Sequence, residues 1–171
     1  MQSTVDTGIG PRVLIIGNSG SGKSWLASQL GRKLRFPHID LDDLYFVGSG
    51  YTHMRTKEDT VELALVKAQQ NRWVIEGIYG WLAQALLVRA THLVWLTLPE
   101  EQCMSNIAAR GNRGSASPES FLDLLEWANT YRTRKGSSAF GFHERLFSNF
   151  QGAKYRLNSR DEVSTLALIE N

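Results

Sequence analysis

A chain of 171 residues, 42% hydrophobic and 21% charged, is long enough to bury a core without disulfides or structural metal and too apolar for a disordered polymer. Nineteen Lys and Arg against seventeen Asp and Glu leave a net charge of +2, too small a bias to imply nucleic acid by itself, although the sign suits an anionic ligand. A lone cysteine, Cys103, excludes a disulfide framework and a cysteine-based zinc cluster, and no apolar run approaches the roughly 18 residues of a membrane span, so one soluble, cytoplasmic domain over 1–171 is expected.

Arg12 to Ile16 (RVLII) is a β-branched apolar run closed by Gly17, which predicts a buried strand. Lys23 to Leu34 then places Trp25, Leu26, Leu30 and Leu34 at helical spacing. Phe36 to Asp40 predicts a second strand, Val47 to Met54 a loop, and Thr56 with Asp59 a capping box opening a helix to about Gln70. Trp73 to Ile75 predicts a third strand, Leu82 to Val88 a short helix, and Leu93 to Leu98 a fourth strand ended by Pro99. Glu100 to Ala109 reads as helix and Gly111 to Ser117 as loop; Ser117 with Pro118 starts a further helix to about Arg132, broken by Lys135 to Gly141. Lys154 to Leu157 predicts a fifth strand, and Ser159 with Glu162 caps a C-terminal helix. Strands alternating with helices imply an α/β fold with a parallel sheet covered on both faces.

Between the first strand and the first helix lies Gly17-Asn18-Ser19-Gly20-Ser21-Gly22-Lys23-Ser24, which fits G-x-x-x-x-G-K-[ST]. Its glycines let successive backbone N–H groups turn inward around phosphate oxygens. Lys23 supplies charge for the β- and γ-phosphates, Ser24 a hydroxyl for Mg²⁺, and the helix N-terminus, with Trp25 next in line, a favourable dipole. A chance match to the four fixed positions arises in roughly 1% of chains this long, so ATP with Mg²⁺ is the expected ligand.

No D-x-x-G element accompanies this loop, and Asn158-Ser159-Arg160-Asp161 lacks the lysine of a guanine reader, which argues against a GTPase. The fourth strand carries no carboxylate, so the acid must come from His38-Ile39-Asp40-Leu41-Asp42-Asp43 or from Glu76, both directly after strands where open α/β sheets bind ligands. In an extended segment Asp40 and Asp42 point the same way, one to steer Mg²⁺ through water and the other to take a hydroxyl proton; capping of the next short helix is the alternative role. Glu76, ending an apolar strand, needs a metal, water or cation beside it.

The strings PHIDLDDLYF, WVIEGIY and VRATHLVWLTLP resemble the DNA topology-modulation-type P-loop proteins, a branch of the adenylate kinase-like superfamily, and the resemblance runs from Arg12 to about Leu166. It implies a three-layer P-loop NTPase sandwich with a five-stranded parallel sheet in the order 2-3-1-4-5 and a small helical lid at about 110–135. Asp40-Leu41-Asp42 is similar to the paired Asp of shikimate-type kinases, which implies metal ordering by Asp40 and base action by Asp42. Glu76-Gly77 stands where adenylate kinases carry the Asp-Gly of their DGFPR motif, implying contact with the Mg²⁺ hydration shell, while Ile78-Tyr79-Gly80 omits that motif's arginine. Arg110 and Arg113 match the R-x-x-R of the lid and are assigned to the charge of the moving phosphoryl, with Arg132 and Arg134 as candidates from the returning arm.

The reading is an ATP-dependent phosphotransferase acting on a nucleoside, nucleotide or small hydroxylated metabolite, as a monomer or homodimer. Tyr45, Phe46 and Tyr51 are best placed for the acceptor, and Cys103 and the scattered histidines build no metal site. The alternative is a regulatory ATPase or nucleotide sensor contacting DNA or a protein, for which Arg132 to Lys135 (RTRK) is the only short basic cluster.

Overall fold

The computed structural model describes residues 9–48, 51–112 and 117–168. Strand β1 (Arg12–Gly17) leads into helix α1 (Lys23–Leu34), followed by β2 (His38–Asp40), α2 (Leu41–Tyr45) and an antiparallel pair, β3 (Phe46–Val47) with β4 (His53–Met54). The chain continues through α3 (Lys57–Lys67), β5 (Trp73–Gly77), α4 (Gly80–Leu86), β6 (His92–Leu96), α5 (Glu100–Arg110) and α6 (Pro118–Asn129), then α7 (Phe140–Asn149), β7 (Ala153–Leu157) and α8 (Arg160–Ala167).

The main sheet has the order β2-β5-β1-β6-β7 with every neighbouring pair parallel, which is the expected 2-3-1-4-5 once the small β3–β4 pair is set aside. Along β1 the pleat alternates between two cores. Val13 and Ile15 pack with Leu26, Leu30, Cys103 and Val163 of α1, α5 and α8, whereas Leu14 and Ile16 pack with Leu41, Ala64, Leu82 and Leu146 of α2, α3, α4 and α7. Burial on both faces explains why β1 is an unbroken apolar run rather than an alternating one. No helix among the described residues is long and apolar enough to cross a membrane.

Three local features depart from the expectations. Two short strands stand within the stretch predicted as loop, held because the Arg55 N–H donates to Tyr45 O and its guanidinium donates to Leu44 O and Phe46 O at 2.7 and 3.1 Å. Asp40 and Asp42 do not share one extended segment: Asp40 is the N-cap of α2, its carboxylate accepting from the Asp42 N–H at 2.8 Å, and Asp42 is already helical. Helix α7 begins inside the predicted break of Lys135 to Gly141, and its N-cap, Ala139, has no side-chain cap to announce it. The caps at Thr56, Ser117 and Ser159 are present as read, each accepting from the N–H three residues on.

A buried polar chain joins the far side of this fold to the sheet. Trp95 Nε1–H donates to Tyr131 Oη at 3.0 Å, Tyr131 Oη lies 2.7 Å from His143 Nδ1, and His143 Nε2 lies 2.9 Å from Ile78 O. Because a carbonyl only accepts, Nε2 carries the proton, Nδ1 accepts from the tyrosine, and the neutral imidazole satisfies every partner. Burial accordingly pushes the His143 pKa down to about 3. Since the folded value lies below the unfolded 6.5, this residue's contribution is complete above pH 6.5 and fades as pH falls toward 3. In denaturant titrations the stability gap between the wild type and His143→Gln should therefore narrow by about 2 kcal/mol from pH 7 to pH 5; a pH-independent gap would contradict the neutral, buried assignment.

Candidate active site

The loop between β1 and α1 is held from three directions. Gly20 and Gly22 have φ of +75° and +94°, a region that L side chains rarely adopt, and these turns bring Lys23 to the start of α1. The Gly20 carbonyl accepts from Asn106 Nδ2 at 2.8 Å, and the Arg160 guanidinium donates to Asn106 Oδ1, so α5 and α8 fix the loop from one side. Asn18, 1% exposed, donates its amide to Ala128 O of α6 at 2.8 Å from another. Its own carbonyl accepts from Lys23 Nζ at 2.7 Å and from Ser21 Oγ at 2.8 Å.

The carboxylates stand opposite. Register places Glu76 beside Ile15 on one side and Asp40 on the other, so both acids reach the C-terminal edge of the sheet together with Gly17. Glu76 is 2% exposed; its Oε1 accepts from Ser24 Oγ at 2.7 Å and lies 3.7 Å from His38 Nε2. Burial alone would raise its pKa, but His38, Lys23 and Ser24 outweigh that and hold the carboxyl below its ordinary range, while Glu76 in turn raises His38. Burial, with repulsion from Glu76 and Asp42, pushes Asp40 up to about 7. Burial also raises Asp42, moderated by the Tyr79 hydroxyl that donates to its Oδ1 at 2.6 Å and by Lys23.

Two adjoining clefts open on these groups. One, of about 470 Å³, is lined by Gly20 to Trp25, Leu98, Asn106, Arg110, Arg160, Val163 and Ser164. The other, of about 580 Å³, brings Ser19, Gly20, Lys23, Ser24, Asp40, Asp42, Glu76 and Arg110 together with a set of aromatic rings. Gly20, Lys23, Ser24 and Arg110 line both and so mark the junction. Gly17 and Asn18, at the start of the loop, are buried and line neither of these clefts, and Arg113 falls outside the described residues. Arg132 and Arg134 are engaged within the protein. Arg132 pairs with Glu100 and donates to Thr97 O, and the Arg134 guanidinium donates to Trp127 O and Ser138 O while covering the Trp127 ring at 3.6 Å. Burial raises the Cys103 thiol to about 11, a packing group rather than a nucleophile.

Sequence reasoning did not single out Asn106, although it lies four residues before Arg110 on one helix face, nor the partnership of Tyr79 with Asp42, which joins elements far apart in the chain. Among the described residues no three His, Cys, Asp or Glu side chains converge as a metal cage. The donors at hand, the Ser24 hydroxyl with the Asp40 and Glu76 carboxylates, are hard oxygens too few for a closed site, which fits Mg²⁺ held jointly with phosphate oxygens and water.

No family model matches the sequence. The "Uncharacterized protein YqaC" of Bacillus subtilis (strain 168) is 26% identical over 126 residues, 68% of this chain and 70% of that one. Among solved structures, a gluconokinase from Sinorhizobium meliloti 1021 superposes with a TM-score of 0.56 at 17% identity, covering 92% of this chain and 89% of the other. A shikimate kinase from Bacteroides thetaiotaomicron gives 0.54 at 16% identity over 92% and 94%. The YorR protein from Bacillus subtilis, in complex with phosphorylated GDP, gives 0.51 at 16% identity over 90% and 91%. The chain has the α/β fold of P-loop kinases.

The two inner glycines of the loop should respond differently to substitution. A Cβ on Gly20 would stand 2.3 Å from Cys103 O, whereas one on Gly22 meets nothing within 4 Å. Gly20→Ala should cost at least about 3 kcal/mol by chemical denaturation, and Gly22→Ala only the left-handed strain of about 1–2 kcal/mol. Equal costs would contradict the clamping of the loop against α5.

Proposed function

We propose that this protein is an ATP-dependent kinase that moves the γ-phosphoryl group to a hydroxyl of a small molecule. The observation that carries the reading is the junction itself: the glycine loop with Lys23 and Ser24 shares one cleft with Asp42, Asp40 and Glu76. On this reading ATP lies in the cleft bounded by Trp25, Arg160 and Val163, its phosphates on the loop from Gly17 to Ser24, and Lys23 bridges the β- and γ-phosphates.

Ser24, Asp40 and Glu76 would hold Mg²⁺. Bound there, the ion would offset charge on the phosphate oxygens. Asp42 takes the proton of the acceptor hydroxyl as its oxygen bonds to the γ-phosphorus and the bond to the bridging oxygen of ADP breaks. A carboxyl raised by burial yet kept close to Lys23 and Tyr79 is a stronger base than an exposed one. Arg110, at the junction, and Arg113 neutralise the three oxygens in flight, and residues 110–135 act as the lid that closes over them. The strings around Asp40, Glu76 and Trp95 support placing the chain with the topology-modulation-type branch of adenylate kinase-like proteins, acting in the cytoplasm.

Screening ADP release over hydroxylated acceptors tests the reading. With the acceptor found, Asp42→Asn should lower kcat by at least about 100-fold and leave the KM for ATP within about threefold. Arg110→Ala should likewise depress turnover far more than ATP affinity. Parallel losses in both constants would assign these side chains to ground-state binding instead.

A further inference from the structure

The larger cleft divides by chemistry. Its cations among the described lining residues are Lys23 and Arg110, and both also line the cleft assigned to ATP. The remainder carries Asp40, Asp42 and Glu76 on the sheet side and the rings of Phe46, Tyr51, Phe121 and Trp127 on the other walls. With Asp40 and Glu76 assigned to Mg²⁺, a phosphate or carboxylate on the acceptor would still face Asp42 with no described cation of its own, an arrangement that desolvation makes worse.

Neighbouring cations are turned elsewhere. The Arg55 guanidinium donates to Leu44 O and Phe46 O and so braces Phe46, Lys57 Nζ stands 5.5 Å over the Trp81 ring, and the Arg134 guanidinium, over one face of Trp127 at 3.6 Å, donates to Trp127 O and Ser138 O. Tyr79, two residues beyond Gly77, commits its hydroxyl proton to Asp42. The rings point to the shape of the occupant. Tyr51 and Trp127 are 54% and 42% exposed, large for aromatic groups lining a concave site, and Phe46 meets Tyr51 edge-on at 5.1 Å. A planar body between them would cover that surface, with Ser117, the N-cap of α6, and Ser120 on that helix to meet its polar edge.

We infer that the acceptor is an uncharged, hydroxylated molecule built on a planar ring, of the nucleoside class, an inference that rests on the kinase reading above. The hydroxyl lies toward Asp42 and the ring between the aromatic walls. Phosphorylated or carboxylated acceptors are disfavoured because, among the described lining residues, the ring walls offer aromatic surface and serine hydroxyls but no cation.

The test is ADP release by the full chain with MgATP and a panel of adenosine, guanosine, cytidine and thymidine, their 5′-monophosphates, gluconate and shikimate. At least one nucleoside should exceed its own monophosphate and both sugar acids by at least about tenfold in kcat/KM. Phe121→Ala should raise the KM for that nucleoside at least about fivefold with the KM for ATP unchanged, the unchanged value showing an intact fold. Preference for a monophosphate or sugar acid would overturn the inference and leave the kinase reading standing. An unchanged nucleoside KM in Phe121→Ala would overturn the ring assignment, and ADP release no faster with any compound than with ATP alone would overturn both.

Discussion

A carboxylate with 2% exposure at the end of an apolar strand stays charged only if the chain around it supplies partners, and Glu76 sets that demand for the whole C-terminal edge of the sheet. Ser24 answers from the first turn of α1 and His38 from the first residue of β2, so one buried oxygen ties the glycine loop, the central strands and the sheet margin together. Lys23 completes the balance by its field rather than by contact. Asp40, paired in register with Glu76, is pushed up first by its burial and then by repulsion from Glu76, while the partners of Glu76 hold that carboxyl down. The acids of the site are therefore one electrostatic unit.

The same economy governs the parts above the sheet. Asn18 ties the loop to the end of α6, and the chain Trp95, Tyr131, His143 ties the segment after α6 to α7 and to the carbonyl of Ile78, two residues past Glu76. Arg132 and Arg134 brace this arm through Glu100, Thr97, Trp127 and Ser138, so the short basic cluster is part of the scaffold. Lys23 and Arg110 stand where the two clefts meet, and the larger cleft adds Asp40, Asp42, Glu76 and a set of aromatic rings. On the proposed kinase reading, two substrates would be separated by charge as well as by position.

Much of this was legible in the sequence, for identifiable reasons. Strands buried on both faces leave unbroken apolar runs, as at Arg12 to Ile16, and glycines at fixed spacing before a lysine leave a motif that no packing constraint mimics. Three polar caps, at Thr56, Ser117 and Ser159, marked helix starts because their side chains bond locally. Where the bonds are nonlocal the signal vanishes. Helix α7 begins at an uncapped Ala139 with Gly141 in its first turn, and the β3–β4 strands of two residues each are shorter than any periodicity. The link from Tyr79 to Asp42 spans 37 positions and that from Arg160 to Asn106 spans 54, separations that only the fold closes.

The central claim is that the amides of the glycine loop and the Lys23 ammonium form a triphosphate site beside these acids. Calorimetric titration of the purified protein with ATP in the presence of magnesium tests it most directly. The account predicts saturable heat at one site per chain, lost in Lys23→Met and weakened when magnesium is chelated. No saturable heat with the wild type, or the same heat with Lys23→Met, would contradict it.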